Sequence, residues 1–351
     1  MAQKTQLKIG MPAGSLASAS RGGNLIDLLS AAGFRTSGYD KGGPTKFTGT
    51  SLLFGWDGRP QEFGAQLEIG ELDVAIAGDD WIKERVLEMR IEHGVEINLE
   101  RVMTLNRGEV QIVGIVADPA YHTTEDFLRT VAPRKPLLVC ASEMPYLALD
   151  WLQRKLAAVG LGDRFRAHSV QKYKTPPKIK EGILVYESWG KTESKVKNGA
   201  VDVGLEISQT GSAIKSYGLT MTETVMRSQT SVYTHASVKE DPEKRELLDM
   251  FLLNLHGAVN AESKVMLLFN VPNDLSDKVY AYLRENKLFG EEPTMSRGKE
   301  YTEYNIQVDA ADVEKPVALV RYTLAKLGAQ SINTVPISSA IPGIKALRGR
   351  G

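Results

Sequence analysis

The stretch VDVGLEISQTGSAIKSYGL, residues 201–219, brings a carboxylate, several hydroxyls and a glycine onto one strand-to-helix junction. An apolar run ends at Glu206, a Ser208-Gln209-Thr210-Gly211-Ser212 bend follows, and helical spacing begins at once. The N–H groups of Gly211, Ser212 and Ala213 then open a helix, where unpaired donors and the helix dipole favour an anion. Thr210 and Ser212 add hydroxyls, Gly211 permits close approach, and Glu206 is placed to accept hydrogen bonds from sugar hydroxyls. An acid followed by such a bend suits a ribose 5-phosphate. The same pattern also makes an ordinary Ser/Thr-capped helix.

Other polar clusters follow apolar runs. Gly14 and Ser15 lie in the MPAGSL bend after the first apolar segment, which is either an anion loop or a simple strand-to-helix turn. Asp79 and Asp80 in AGDDWI bind Mg²⁺ or a sugar, or cap a helix. Arg59, beside Asp57 in the GWDGRPQEFG loop, has the fork geometry to grip a phosphate. Lys172, Lys174, Lys178 and Lys180 surround a Pro-Pro pair in QKYKTPPKIKEG, which reads as a mobile basic loop or hairpin. These lysines screen a polyphosphate or form a solvated face. The five histidines are scattered without metal-ligand spacing, and neither a G-x-S-x-G elbow nor a Walker-type phosphate loop is present.

The elements that must hold these groups alternate. LKIGMP, LDVAIAGDDWI, EVQIVGIVAD, KPLLVCAS and AVDVGLEIS are near-continuous apolar runs, interleaved with helical patterns such as NLIDLLSAAGF and PYLALDWLQRKLAAVGL. Strand–loop–helix alternation predicts a mostly parallel, helix-covered sheet, with ligands beyond the C-terminal strand ends. From about residue 256 the order changes to strand, helix, strand, helix, strand, with one further strand near Pro293–Ser296. That order predicts a small ferredoxin-like α+β module.

At 351 residues the chain exceeds one comfortable core, so two or three domains are expected. Lys plus Arg and Asp plus Glu both count 43, which disfavours nucleic acid as a partner of the whole chain. The single cysteine, Cys140, excludes an internal disulfide and a Cys-rich zinc site. No apolar run reaches signal-peptide or membrane-span length, so a cytoplasmic, membrane-free protein is expected.

In this context the residues resemble the ATP phosphoribosyltransferases of histidine biosynthesis, in their long, three-domain form. LKIGMPAGSL looks like the family's first strand and Gly bend, and GELDVAIAGDDWI its G-x-x-D-[LV]-[GA]-I-x-G-x-[DE] block. ASEMPYLALDWL resembles the [ST]-S-E-[FY]-P helix start, GKTE the G-S-V-E segment, and VDVGLEISQTGSAIKSYGL the phosphoribosyl-pyrophosphate (PRPP) loop. AESKVMLLFNVP, PTMS and LGAQSINTVPIS resemble the regulatory module.

The resemblance implies a two-lobed catalytic region of periplasmic-binding-protein-like type II fold, with lobes at 1–106 plus 217–252 and at 107–216. A regulatory ferredoxin-like domain at 256–351 would follow. It implies attack of adenine N1 of ATP on C1′ of PRPP, Mg²⁺ as cofactor, histidine as feedback inhibitor, and a homo-oligomer, dimer or hexamer. Glu206, Thr210, Gly211, Ser212 and Ala213 would hold PRPP. Gly14, Ser15, Arg59, Asp79 and Glu193 would face ATP and pyrophosphate; the metal ligands are not identified.

Departures from the family pattern cluster at the site. Ala13 replaces a lysine, Glu62 an aspartate, Gln111 an arginine, Glu206 an aspartate and Ala213 a threonine, while 171–182 looks like an insertion. A lost hydroxyl on a phosphate costs about 1.5–3 kcal/mol. Two alternatives therefore stand beside the first reading: a phosphoribosyltransferase with a changed acceptor, and a non-catalytic nucleotide or sugar-phosphate binding protein.

Overall fold

A computed structural model describes residues 5–13, 16–17, 24–289 and 292–345. The chain opens with β1 (Leu7–Pro12), α1 (Leu25–Ala31), the short β2 (Thr36–Ser37) and β3 (Lys46–Phe47), and β4 (Leu53–Gly58). Next come α2 (Pro60–Glu68), β5 (Val74–Gly78), α3 (Asp79–His93) and β6 (Leu99–Thr104). The middle of the chain forms β7 (Val110–Val116), α4 (Thr124–Val131), β8 (Leu137–Ser142), α5 (Pro145–Ala158), β9 (His168–Lys172) and β10 (Gly182–Glu187). It continues through α6 (Thr192–Lys197), β11 (Val203–Ser208), α7 (Ser212–Ser216), β12 (Thr220–Ser228), β13 (Thr230–His235), α8 (Ala236–Glu240) and α9 (Pro242–Ala261). The last elements are β14 (Lys264–Pro272), α10 (Ser276–Glu285), β15 (Thr294–Arg297), β16 (Tyr301–Asp309), α11 (Val317–Lys326) and β17 (Gln330–Pro336).

Contacts divide the chain into two units, Met1–Ile26 with Thr36–Leu248 and Asp27–Arg35 with Asp249–Gly351. The first unit contains two large sheets, in the orders β4-β1-β5-β13-β6 and β12-β7-β11-β8-β10-β9. The first order is that of type II bilobal binding folds, and the molecule has the α/β class the sequence predicts. Both sheets are mixed rather than parallel throughout. β1 runs parallel to β4 and β5, whereas β13 is antiparallel to β5 and β6. In the other sheet β8, β9, β10 and β11 run parallel, and β7 runs antiparallel to both β11 and β12. The antiparallel strands are those that enter from the neighbouring sheet. β12, which belongs to the segment 217–252 grouped with the first lobe on sequence, is hydrogen-bonded into the six-stranded sheet; β13 lies in the other.

The cores follow from the apolar runs. β5 (VAIAG) is buried at every position but the last, as a central strand covered on both faces must be. Trp151 of α5 is fully buried, and its indole occupies the space that a side chain at position 114 of β7 would need. Leu87 of α3 joins the core beneath α5 and the six-stranded sheet, although β5, which precedes α3, lies in the five-stranded sheet. Each such fully buried aliphatic or aromatic side chain stabilises the fold by about 1.5–3 kcal/mol.

The second unit holds the four-stranded antiparallel sheet β15-β16-β14-β17. With α10 and α11 interposed, this is the strand order of a ferredoxin-like module. β16 alternates buried and exposed residues, so one sheet face is covered. Val279 and Leu283 of α10 and Val320 and Leu324 of α11 cover it, packing on Leu267, Phe269, Tyr304 and Ile306.

Candidate active site

Two connections carry the chain between the large sheets, one from Leu105 to Glu109 and one at Gln229. They run side by side: the N–H of Leu105 donates to the carbonyl of Thr230 at 2.9 Å, and the N–H of Thr230 to that of Arg107 at 2.9 Å. Helix α3 starts on this crossing, its Asp79 N–H donating to the Gln229 carbonyl at 3.0 Å. A cavity of about 430 Å³ opens here, bordered by Arg59, Asp80, Gly108, Ile207 and Thr230. Arg59 also borders a cavity of about 300 Å³ with Glu143, Tyr146 and Trp189. A third, of about 390 Å³, is lined by Gln111, Gln209 and Arg227. Arg59 and Arg227 are exposed, and neither has an ion-pair partner among the described residues. Arg59 thus stands unneutralised at two of these cavities and Arg227 at the third.

The acidic pair at the end of β5 divides its work. Asp79 is turned away from the cavities: Tyr233 donates to its Oδ1 at 2.7 Å and Arg101 to its Oδ2 at 3.3 Å. Asp80, the neighbour, borders the 430 Å³ cavity, and its N–H donates to Ser228 Oγ at 3.0 Å. Burial raises the Asp80 carboxyl above the usual range, with the Asp79 charge adding to the shift. Both residues belong to the first turn of α3 rather than to a loop, so one helical step separates their directions. The expectation that Asp79 faces ligand is thus corrected to a structural role for Asp79, with Asp80 at the cavity.

Further along α3, Glu84 accepts the N–H groups of Tyr146 at 2.9 Å and Leu147 at 2.7 Å. It thereby caps the N-terminus of α5, beside the opposite sheet. Burial pushes its pKa up to about 8, with those two N–H bonds acting to lower it and Glu88 and Glu187 to raise it.

Glu206 lies in β11, two residues before the strand ends at Ser208. Its Oε2 is buried without a well-formed hydrogen bond among the described residues, and the Thr192 hydroxyl, buried and likewise unpaired, stands near the carboxylate. Burial pushes its pKa up to about 7; the carboxylates of Glu193 and Glu143 add to the rise, while the Thr192 hydroxyl and the Ile207 N–H oppose it. Gly204 makes this neighbourhood possible: a Cβ there would stand 2.8 Å from Val196 and 2.9 Å from Thr192, so only glycine lets α6 approach β11. Glu193 therefore joins Glu206, and Glu143 comes with them from the loop after β8.

The bend after Glu206 closes on itself. Gly211 has φ +72° and caps α7, a helix of five residues. Its N–H donates to Ser208 Oγ at 2.9 Å, and the Ser212 N–H reaches Thr210 Oγ1 at 3.4 Å. Thr210 in turn donates to Ser212 Oγ at 3.0 Å. Two of the three N–H groups expected to wait for a ligand are thus engaged by the bend's own hydroxyls. Ala213 follows in the first turn with no hydroxyl to contribute.

The remaining expected residues are not gathered there. Gly14 and Ser15 lie outside the described residues. Lys172, on edge strand β9, pairs with Glu187, and Lys174 stands 5.5 Å over the Tyr173 ring. Lys178 and Lys180 are exposed in a connection that Gln171 holds: its amide donates to Pro176 O at 2.9 Å and accepts the Lys178 N–H at 2.9 Å. None of the four borders the three cavities described above. Sequence reasoning missed Asp80's orientation, Glu143, Trp189 and Arg227. Arg227 sits in TMTETVMRS, whose residues carry no signal of which sheet the strand joins.

The family model described as HisG, ATP phosphoribosyltransferase, matches residues 59–257. The chain is similar to the ATP phosphoribosyltransferase of Geotalea daltonii, 30% identical over 340 residues, covering 95% of this chain and 99% of that one. It is also similar to ATP phosphoribosyltransferase 1 of Geobacter sulfurreducens, at 27% identity over 339 residues, 95% and 99% of the two chains. Among solved structures, a chain of the ATP phosphoribosyl transferase (HisG:HisZ) complex from Thermotoga maritima superposes with a TM-score of 0.49 and 16% identity, covering 71% of this chain and 96% of that chain.

Proposed function

Because the chain belongs to the ATP phosphoribosyltransferase family of pentosyltransferases, we propose that it joins adenine N1 of ATP to C1′ of PRPP and releases pyrophosphate, the first step of histidine biosynthesis. The observation that carries the reading is the buried Oε2 of Glu206, without a well-formed hydrogen bond, beside a hydroxyl-lined bend. Ribose hydroxyls would complete that atom, since a buried acceptor without a donor costs about 1–3 kcal/mol. The bend Thr210–Ala213 would exchange its internal hydrogen bonds for the 5-phosphate. Arg59 and Arg227, without carboxylate partners, would face the pyrophosphate.

Adenine N1 is unprotonated at neutral pH, so the nucleophile needs no general base. What the reaction requires is positioning of two polyanions and stabilisation of the departing charge. Among the described residues no group of three or more His, Cys, Asp or Glu side chains is gathered for a metal. Mg²⁺ accordingly fits as a companion of the substrate's phosphates, with most of its ligands from phosphate and water. The described helices include none long and apolar enough to cross a membrane, and the proposed pathway would suit a cytoplasmic enzyme.

The ferredoxin-like module would bind histidine as a feedback inhibitor and support a homo-oligomer. A cavity of about 700 Å³ on its sheet supports this, because Asn305 Oδ1 and Gln307 Nε2 border it without hydrogen-bond partners. A changed acceptor is the second reading, favoured by Gln111: its amide accepts from Thr224 Oγ1 at 2.9 Å, where the family pattern has a cation. A coupled assay with PRPP, Mg²⁺ and a nucleotide panel, with and without histidine, tests both. Pyrophosphate release with ATP supports the first, release only with another nucleotide the second, and tight binding without release a non-catalytic role.

A further inference from the structure

The segment 171–182 carries four lysines that border none of the three cavities at the crossing, yet it is tied down along its length. The buried Gln171 side chain donates to Thr175 Oγ1 at 3.2 Å and to Pro176 O at 2.9 Å, and accepts the Lys178 N–H at 2.9 Å. The Tyr186 hydroxyl of β10 donates to Thr175 O at 3.0 Å. The N–H of Tyr173 donates to Glu187 O at 3.1 Å, and its ring meets that of Tyr186 edge-on, with centroids 5.7 Å apart. A solvated lysine loop needs none of these ties.

The ties converge on the β10–α6 connection. Lys195 of α6 places its ammonium 4.9 Å from the centroid of the Tyr173 ring and donates from the same atom to Gly190 O at 2.6 Å. The quadrupole of the ring attracts the cation, more strongly for the half-buried Lys195 than for the exposed Lys174, 5.5 Å from the same ring. Gly190 and Lys191 take left-handed conformations in succession, at φ +73° and +59°. A non-glycine residue such as Lys191 keeps that conformation only where its surroundings enforce it. Directly after it α6 opens with Thr192 and Glu193, both buried, which act on the Glu206 carboxyl from this side.

We propose that Lys195, seated on Tyr173, is a positioning residue for the Glu206 site. The segment 171–182 is the brace behind it. It presents the Tyr173 ring to Lys195, Lys195 fixes Gly190, and the fixed turn sets Thr192 and Glu193 beside Glu206. The inference rests on the phosphoribosyltransferase reading for the ligand at Glu206. It adds two residues that border none of the three cavities themselves.

Four variants of the full chain test it: Lys195→Met, Lys195→Arg, Tyr173→Leu and Tyr173→Phe. Calorimetric titration with PRPP reads affinity without turnover, and steady-state assays add KM and kcat. Lys195→Met and Tyr173→Leu should weaken PRPP about fivefold or more and raise its KM to match, while kcat falls less than twofold. Arg keeps a cation for the ring and an N–H for Gly190 O, and Phe keeps the aromatic face. Both conservative variants should therefore stay within about twofold of the unsubstituted protein. Amide hydrogen exchange in peptides covering residues 188–193 should quicken about threefold or more in Lys195→Met and Tyr173→Leu, and in neither conservative variant. A PRPP affinity unchanged in Lys195→Met and Tyr173→Leu, or equal losses in Tyr173→Leu and Tyr173→Phe, overturns the inference. PRPP that fails to bind the unsubstituted protein defeats the phosphoribosyltransferase reading instead. Exchange then decides the brace alone: quickened exchange upholds it, and unaltered exchange overturns it.

Discussion

Two helices follow the C-terminal ends of central strands, α3 directly after β5 and α7 after a three-residue bend beyond β11, and the chain treats their first turns oppositely. The start of α3 is cross-linked: Asp79 binds Tyr233 and Arg101, and the Asp79 and Asp80 N–H groups are held by the Gln229–Ser228 return strand. Its body then caps α5 through Glu84. The start of α7 is tied only by its own hydroxyls, within Ser208–Ser212. The first is a pier that fixes the crossing between sheets. The second is a short bend whose side-chain bonds stay within Ser208–Ser212.

The comparison breaks most visibly at Asp79. Asp79→Ala leaves the Tyr233 hydroxyl and the Arg101 charge without their acceptor and should cost about 2–4 kcal/mol in a denaturant titration. A loss below 1 kcal/mol would return Asp79 to the ligand.

Next in size is the pH dependence at Glu206. Its folded pKa of about 7 lies above the ordinary 4.5. An ionised Glu206 is the better acceptor for ribose hydroxyls, so kcat/KM for PRPP should fall as pH drops through 7, approaching tenfold per unit. Glu206→Gln should abolish that limb, and a limb that persists would assign it elsewhere. The same shift means that the folded state holds a proton between pH 4.5 and 7 that the unfolded chain has lost. Its contribution to stability therefore declines as pH rises through that window.

At the other helix, Ala213→Thr supplies the hydroxyl found in the family pattern. It should lower the PRPP KM about tenfold, a hydrogen bond to a charged group being worth about 1.5–3 kcal/mol, with little change in Tm. An unchanged KM would mean that the phosphate does not sit on α7. The smallest effect is expected from replacing Lys172, Lys174, Lys178 and Lys180 together by Ala: a PRPP KM within twofold, because none of them borders the described cavities. A tenfold rise would draw the segment back into the site.

Much of the fold was legible in local pattern. β1, β8 and α5 stand where their apolar spacing put them, because long periodic segments bury the same face in any compact fold. The ferredoxin-like order was legible for the same reason. β9 and β12 were not: HSVQK and TMTETVMRS carry charges and hydroxyls that mask the strand period, and β12 pairs with β7, about a hundred residues earlier in the chain. The polar loop expected at the end of LDVAIAGDDWI is a helix start instead: β5 stops at Gly78 and α3 begins at Asp79.

The residue types alone determined that an acid, hydroxyls and a glycine would meet at residues 206–213, because these neighbours in sequence are necessarily neighbours in space. They also determined, through the family pattern, which chemistry that junction suits. Only the tertiary structure decided that Asp79 turns inward while Asp80 meets the cavity, and that Glu193 and Glu143 stand beside Glu206. It alone brought Arg59, Arg227 and Trp189 to the cavities at the crossing. Such choices depend on which strands cross between the sheets, and that is settled by burial summed over the whole chain rather than by any local spacing.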